Sequence, residues 1–402
     1  MKPILATICL ALFLISVSCK DEAPSVFDLR CENLQNPLGI DKSVPRFSWK
    51  IRSDKNATTQ KAFQLIVASD PSLLSEEQAD LWNSGKTESA ASIWVPYQGK
   101  AIGSGLAAWW KVRVWDEAGQ VSSWSLAAKF SVGLLSDADW QASYIGFPTE
   151  AGYNECPQLK KSFDVTEVGE RLFLHVNSLG YHEVFLNGQK VGDGVLAPAV
   201  SQFNKRSWAI TYEVSGMVKQ GQNDLVLWLG SGWYTEGLPG VANNGPLVKA
   251  QLEKLTGNKR KIVAVTDASW LGRTSGYTRH GSWRPHQFGG EIVNGALAQT
   301  DLLSGEVAGR TWSPVAVVSV PDHEVSPQMV EQNRIAGTLI PAEIKSVGTD
   351  TFLVDMGKST VGWTEINFGQ LQKAQEIVLE YSDHLDANGK FVNQKQTDRY
   401  IA

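Results

Sequence analysis

Two kinds of side chain in this sequence have the types and spacing to act on a ligand: paired carboxylates, and aromatic rings in polar turns. Glu376 and Glu380 fall on the same face of one predicted strand, and Asp383 and Asp386 flank a predicted turn. Acid–base hydrolysis of a glycoside requires two carboxyl groups on either side of the bond. Neither pair differs from an ordinary solvated strand face or turn, so the sequence assigns no catalytic residue.

The aromatic candidates lie in two polar segments. Trp233 and Tyr234 directly follow the turn Gly230-Ser231-Gly232, and Trp283 and Arg284 lie in a polar loop without a strand pattern. A ring face packs on the apolar face of a sugar, and an arginine donates hydrogen bonds to sugar oxygens. We therefore predict that these four residues contact a carbohydrate. The alternative is that each ring packs its own loop onto the sheet beneath it.

Composition excludes several functional classes. The 402 residues are 43% hydrophobic and 20% charged, which is typical of globular domains. The net charge of −5 and the lack of a basic block argue against nucleic-acid binding, which needs a positive surface. The sequence contains no phosphate loop, dinucleotide fingerprint, nucleophile elbow or zinc motif, so we predict neither a cofactor nor a metal. The 15 tryptophans favour sugar binding, although core packing also explains many of them.

The elements that must position these rings are strands. Almost no helical periodicity is present, and apolar runs of strand length alternate with Gly, Asn, Asp and Pro, which indicates all-β sandwiches or barrels. Val184-Phe185-Leu186 runs into Asn187-Gly188, a dipeptide that supplies the positive φ of a tight hairpin. Residues 246–253 alternate apolar and polar side chains, and Gly257-Asn258 predicts the next hairpin turn.

The first domain is predicted over residues 26–132. Phe63, Leu65 and Val67 share one face of a predicted strand, and residues 109–116 alternate in the same way. The Glu117-Ala118-Gly119 turn and the later Trp124-Ser125 element make this region resemble a fibronectin type III domain. We interpret its aromatic residues as core, and the domain as a spacer or brace.

Residues 171–234, together with the Asp267-Ala268-Ser269-Trp270 turn and Gly289-Gly290-Glu291, closely resemble the N-terminal sugar-binding domain of bacterial α-L-rhamnosidases. That resemblance implies a jelly-roll domain over 138–320. Residues 355–363 (DMGKSTVGW) resemble the opening of the next, concanavalin-like sandwich of the same family. The resemblance implies that 321–402 is the start of that sandwich, cut off in mid-domain, and that the helical catalytic barrel is missing.

The resemblance implies the non-catalytic front portion of an enzyme that releases terminal α-L-rhamnose from plant glycans or glycosides. These β domains would brace the catalytic part and hold a rhamnose-containing carbohydrate. Two alternatives stay open: a stand-alone carbohydrate-binding lipoprotein without catalysis, and an adaptor without a ligand. Whether the chain itself is an enzyme is left undecided.

The N-terminus has the features of a processing signal. Lys2 precedes an apolar stretch at 4–15 that is too short to cross a bilayer, and Ser16-Val17-Ser18-Cys19 resembles a relaxed lipobox. We predict a signal peptide over 1–18 and a linker over 19–25, with Cys19 lipidated, as in surface lipoproteins of the Bacteroides group. The expected location is the outer membrane or cell surface, and an orientation that faces the periplasm stays open. A plain secretory peptide is the alternative.

Two cysteines, Cys31 and Cys156, remain in the predicted mature domains. An exported protein permits a disulfide between them. They begin different predicted domains, which favours two free, buried thiols.

Overall fold

The structure is a computed structural model that describes residues 23–150, 152–167, 171–234, 244–281, 288–298, 302, 311–393 and 395–402. Its regular elements are strands, apart from two single-turn 3₁₀ helices at Pro71–Leu73 and Asp137–Asp139. The predicted all-β class, with β-sandwiches in tandem, is confirmed. Within the described ranges, no helix is long and apolar enough to cross a membrane.

The first region is a sandwich of a three-stranded sheet, ordered β1-β2-β6, and a five-stranded sheet, in which β4-β3-β7-β8 are consecutive and β5 also pairs with β3. Its strands are β1 (Ser25–Cys31), β2 (Arg46–Arg52), β3 (Gln60–Ala68), β4 (Trp82–Asn83), β5 (Thr87–Glu88), β6 (Val95–Pro96), β7 (Ala107–Asp116) and β8 (Ala128–Ser131). The predicted inward face of β3 is confirmed, because Phe63, Leu65 and Val67 pack with Phe47 and Trp110 in one buried cluster.

The second region contains two larger sheets. Its strands are β9 (Ile145–Gly146), β10 (Pro148–Thr149), β11 (Gly152–Tyr153), β12 (Pro157–Val165), β13 (Arg171–Leu179), β14 (Tyr181–Leu186), β15 (Gln189–Lys190), β16 (Gly194–Val195), β17 (Arg206–Glu213), β18 (Gly221–Gly230), β19 (Leu247–Thr256), β20 (Lys259–Val265), β21 (Leu271–Thr274), β22 (Tyr277–His280), β23 (Gly290–Asn294), β24 (Ser313–Pro314), β25 (Ala316–Val317), β26 (Glu324–Pro327) and β27 (Asn333–Arg334). One sheet is ordered β15-β14-β18-β12-β21-β24. The other is ordered β25-β9-β19-β13-β17-β26, and β20 also pairs with β19.

The two sheets enclose one core. Leu225 and Leu227 of β18 face it from the first sheet, and Leu174, Val176 and Leu252 face it from the second. The predicted hairpin between β14 and β15 turns at Asn187-Gly188, whose φ values are 52° and 81°. This sandwich therefore has the two-layer form that the jelly-roll resemblance implies.

The last strands are β28 (Glu343–Gly348), β29 (Thr351–Asp355), β30 (Glu376–Glu380) and β31 (Thr397–Ile401). β28 and β29 form a hairpin of their own, whereas β30 and β31 join the β22–β23 hairpin in one sheet ordered β22-β23-β31-β30. In this sheet β31 runs parallel to β23. β22 and β23 precede the predicted domain boundary at residue 320, yet they share a sheet with β30 and β31, which follow it.

Residues 335–385 expose many large apolar side chains. Val361 is 100% exposed, and Ile340, Ile344, Phe352 and Trp363 are also exposed. Exposed apolar side chains in this number usually mark a contact with another element or molecule. This part of the chain forms little core of its own.

The first two sandwiches contact one another directly. Ala107, Phe173 and Leu255 form a small buried cluster across the junction. Lys129 Nζ lies 2.5 Å from Glu213 Oε2, and the Arg171 guanidinium lies 4.6 Å from the centre of the Trp109 ring. The pair therefore forms a braced unit, and the junction is built from apolar, ionic and cation–π contacts together.

Cys31 is buried and Cys156 is half-buried, and both are free thiols. Burial raises the pKa of both groups, to about 12 for Cys156. Raised pKa values make both thiols poor nucleophiles at neutral pH.

Candidate functional site

A shallow aromatic groove lies at one end of the second sandwich, and we call it the Trp233 groove. Three connections form it: the turn between β13 and β14, the segment that leads into β17, and the turn after β18. Its rings are Tyr181, Phe203, Trp208 and Trp233, and Pro198 lines the floor with them. Loops at the end of a rigid sandwich are a common location for binding residues.

Trp233 is half-buried and packs at the edge of a cluster that contains Leu179, Phe203 and Leu247. Its side chain also hydrogen-bonds Tyr181, whose pKa is raised by burial and lowered in part by this bond. Trp233 is thus held in a fixed orientation while part of it lines the groove. A fixed, partly exposed indole is suited to stacking against a sugar, because little side-chain entropy remains to be lost.

Tyr234 lies on the other side of the same turn and is 0% exposed. Its ring packs edge-on against Phe203, with centroids 5.2 Å apart. The predicted contact between Tyr234 and a sugar therefore needs correction: its ring is fully buried and belongs to the core cluster against which Trp233 packs. Tyr234 contacts the groove only through Phe203, which lines it.

Trp208 was not among the sequence candidates, although it lines the groove. It is half-buried, and the Arg206 guanidinium lies 4.4 Å from the centre of its ring. Trp208 shares its strand face with Ile210 and Tyr212, which pack in the core of the sandwich, so its ring lies at the end of that core-facing side. A period of two along β17 therefore groups Trp208 with core residues, and no local signal marks it as lining a groove.

The other predicted sites lie outside the described residues. Trp283 and Arg284 belong to the range 282–287, and Cys19 belongs to 1–22. Their predicted roles in sugar binding and lipid attachment stay predictions.

The carboxylates considered for acid–base chemistry are engaged locally on exposed surface. Asp383 lies 2.6 Å from the His384 ring, and Asp386 accepts backbone hydrogen bonds from the turn that follows it. Glu376 pairs with Arg399 at 2.9 Å, and Glu380 accepts a hydrogen bond from Asn393. Among the described residues, no group of three His, Cys, Asp or Glu side chains is placed to hold a metal ion.

Comparison with known protein families divides the chain into three successive matches. Residues 26–136 match the Rha78A-like N-terminal immunoglobulin domain. Residues 169–337 match the α-L-rhamnosidase N-terminal domain, and 345–402 match the bacterial α-L-rhamnosidase concanavalin-like domain. The immunoglobulin match refines the fibronectin type III resemblance of the first sandwich, since both families share this architecture.

Individual relatives give the same picture. An α-L-rhamnosidase of Formosa agariphila is 27% identical over 92% of this chain and 42% of its own length. One from Alteromonas sp. (strain LOR) is 29% identical over 88% of this chain and 40% of its own. The solved α-L-rhamnosidase of Dictyoglumus thermophilum superposes with a TM-score of 0.82 at 26% identity, covering 94% of this chain and 44% of that one. The chain therefore spans less than half the length of these relatives.

Proposed function

We propose that this chain, which carries the N-terminal domains of the bacterial α-L-rhamnosidase family, is the non-catalytic front portion of an enzyme that releases terminal α-L-rhamnose from plant glycans or glycosides. The observation that carries the proposal is the order of the three domain matches along residues 26–402. The braced junction of the first two sandwiches and the exposed apolar side chains of 335–385 support a scaffolding role.

We also propose that the second sandwich holds a rhamnose-containing carbohydrate in the Trp233 groove. The support is a fixed, half-buried indole beside three further rings at the end of a rigid sandwich. This observation equally favours the second candidate function, a stand-alone carbohydrate-binding lipoprotein. Both proposals place the chain at the outer membrane or cell surface through a lipid on Cys19, a placement that rests on the sequence of 1–22.

Hydrolysis of p-nitrophenyl α-L-rhamnoside tests whether this chain is non-catalytic or contains a catalytic carboxyl pair of its own. We expect purified residues 20–402 to release no p-nitrophenol above buffer, because the carboxylates examined for acid–base work occupy exposed turns and strands. A full-length α-L-rhamnosidase of the family, assayed in parallel, is the positive control. Clear turnover by this chain would mean that its β domains contain a catalytic carboxyl pair, and would overturn the non-catalytic assignment.

Trp233→Ala tests the groove. Loss of a stacking platform is expected to weaken binding of a rhamnose-containing oligosaccharide by about 1–3 kcal/mol, measured by titration calorimetry, without unfolding the chain. Trp115→Ala, a half-buried ring on the first sandwich, is the matched control and should leave binding unchanged. If Trp233 is instead a core residue, its removal will lower the melting temperature and leave the affinity of the remaining folded protein intact.

A further inference from the structure

A second cleft, which we call the Lys249 cleft, lies where the linker between the first two sandwiches crosses the second one. Its volume is about 160 Å³. The linker contributes Asp137 and Tyr144, β19 contributes Lys249, and the segment before β26 contributes Asp322 and His323. None of these residues belongs to the Trp233 groove.

Lys249 has an unusual environment for a lysine. It is only 8% exposed. Its Nζ lies 4.8 Å from the centre of the Trp140 ring and 5.0 Å from that of Tyr144. Burial lowers the pKa of the ammonium, and the nearby Asp137 carboxylate partly opposes this effect.

The ammonium also lacks conventional partners: to the residues that the structure describes, Lys249 makes neither a hydrogen bond nor an ion pair within 4.0 Å. The two rings attract its charge but accept none of its three N–H groups in the ordinary way. The stem of Lys249 is buried while its residue lines the cleft, so an acceptor bound in the cleft can take the N–H groups that the two rings leave free.

A chain of hydrogen bonds joins two residues that line the cleft, His323 and Tyr144. His323 Nδ1 lies 2.8 Å from the Pro321 carbonyl and must donate to it, which leaves Nε2 of the neutral ring as an acceptor. The Ser207 hydroxyl, 2.9 Å away, donates to that Nε2 and accepts from Asn177 Nδ2. The Asn177 carbonyl in turn accepts from the Tyr144 hydroxyl. The cleft is therefore preorganised.

The charges of the lining decide which class of ligand fits. One lysine and two aspartates, Asp137 and Asp322, line the same small space, and the Asp137 carboxylate acts electrostatically on Lys249. An anion would gain one favourable interaction and meet two repulsive ones. A neutral polyhydroxyl group provides acceptors for Lys249 and donors for both carboxylates at once. Its size restricts the cleft to one small unit rather than an extended chain.

The position of the cleft also links it to the groove. Tyr144 lines the cleft and packs in the same buried cluster as Tyr234, Phe203 and Leu247. Trp233 packs at the edge of that cluster, and so does Val320, which lines the cleft. The two sites therefore share one supporting core.

We propose that the Lys249 cleft is a second saccharide subsite, which binds one neutral sugar unit through the Lys249 ammonium and the Asp137 and Asp322 carboxylates. This inference rests on the proposed carbohydrate-binding function. The Lys249 cleft would hydrogen-bond the hydroxyl groups of a sugar, whereas the Trp233 groove would stack on a sugar ring.

The test is the binding of free L-rhamnose to residues 20–402, measured by titration calorimetry, in the unaltered chain and in Lys249→Met, Lys249→Arg and Trp233→Ala. Methionine keeps an unbranched apolar stem of nearly the same length and removes the ammonium. We expect Lys249→Met to weaken binding by about ten- to a hundredfold, the usual effect of losing hydrogen bonds to a charged group, while its melting temperature stays equal or rises. Arginine restores the charge and should recover part of the affinity.

Each other outcome has a distinct meaning. If Trp233→Ala weakens binding but Lys249→Met does not, the groove holds the sugar and the subsite is overturned, while the proposed function stands. If sodium sulfate displaces L-rhamnose from the unaltered chain but not from Lys249→Met, the cleft is an anion site and the neutral-sugar assignment fails. If the unaltered chain binds no L-rhamnose, both the subsite and the carbohydrate-binding proposal fail. If Lys249→Met chiefly lowers the melting temperature, and affinity per folded molecule is unchanged, Lys249 is structural.

Discussion

Gly39→Ala is expected to destabilise the chain by about 2–5 kcal/mol, whereas Gly119→Ala should cost only about 1–2 kcal/mol. Both glycines have a positive φ, 72° and 78°, so alanine meets a similar backbone penalty at each position. Around Gly119 a Cβ would find open space. At Gly39 it would lie 2.3 Å from Thr211 Oγ1 and 2.8 Å from Thr211 Cβ, and neither separation is possible without a shift.

The clash at Gly39 crosses the junction between the first two sandwiches. Thr211 is a buried residue of β17, and its hydroxyl lies 2.9 Å from Nδ1 of the buried His175, so it has little freedom to rotate away. On the other side, the Gly39 amide donates to Ser131 Oγ at 2.9 Å, which holds the loop in place. Overpacking between two fixed surfaces is the source of the larger cost.

Guanidinium unfolding of the two variants and of the unaltered chain measures these losses, with calorimetry to detect separate domain transitions. Equal destabilisation by Gly39→Ala and Gly119→Ala would mean that the junction yields freely and that the two sandwiches do not form a braced unit.

Much of the local architecture could be predicted because short-range rules determine it. The Asn187-Gly188 turn requires positive φ values, and Phe63, Leu65 and Val67 alternate along β3 so that all three lie on its buried face. Such features depend on neighbours within a few residues. The pairing of β23 with β31 depends instead on residues more than a hundred positions apart, and no local pattern specifies it.

In strand β19, the alternation of side chains predicts a solvent-exposed polar face that is buried in the structure. Residues 246–253 alternate apolar and polar side chains, which predicts one buried face and one solvated face. In the structure both faces are buried, because the interdomain linker covers the polar one. Gln251, for example, donates to the Asp139 carbonyl at 2.9 Å and accepts from the Gln141 amide at 2.7 Å. Lys249 is buried on this covered face, so its cleft could not be predicted from the alternation of side chains.

Orientation within a turn is the other feature that sequence did not determine. Trp233 and Tyr234 are adjacent, equally aromatic and follow the same glycine-rich turn, yet one lines a groove and the other is fully buried. The local sequence permits either ring to face inward. The space beside Phe203 and Leu247, which is supplied by other loops, decides between them.

His182 is expected to make the stability of the chain strongly dependent on pH. It is buried, with Nδ1 2.7 Å from Ser178 Oγ and Nε2 3.0 Å from Tyr212 Oη. Burial lowers its pKa from 6.5 to about 3, because the cation would lose the water that stabilises its charge. The ring is therefore neutral in the folded chain at pH values at which it is already protonated in the unfolded chain.

The sign of the effect follows from proton binding. Above pH 6.5 the ring is mostly neutral in both states and contributes no pH dependence. As pH falls from 6.5 towards 3, the unfolded state binds a proton that the folded state excludes, so the free energy of unfolding decreases. The expected loss from His182 alone is about 2 kcal/mol between pH 6.5 and 4.5.

His182→Gln isolates this contribution, because other titrating groups cancel between the variant and the unaltered chain. We expect urea unfolding at pH 7.5, 6.5, 5.5 and 4.5 to give a less steep decline for the variant, whatever its stability at pH 7.5. His175 is a less clean probe, although burial also lowers its pKa to about 3. Its neighbour Glu253 has a raised pKa, so proton uptake by that carboxylate stabilises the folded state as pH falls and offsets the histidine. Parallel declines for His182→Gln and the unaltered chain would show that the His182 ring titrates normally in the folded protein, and that the core beneath the Trp233 groove admits a charge.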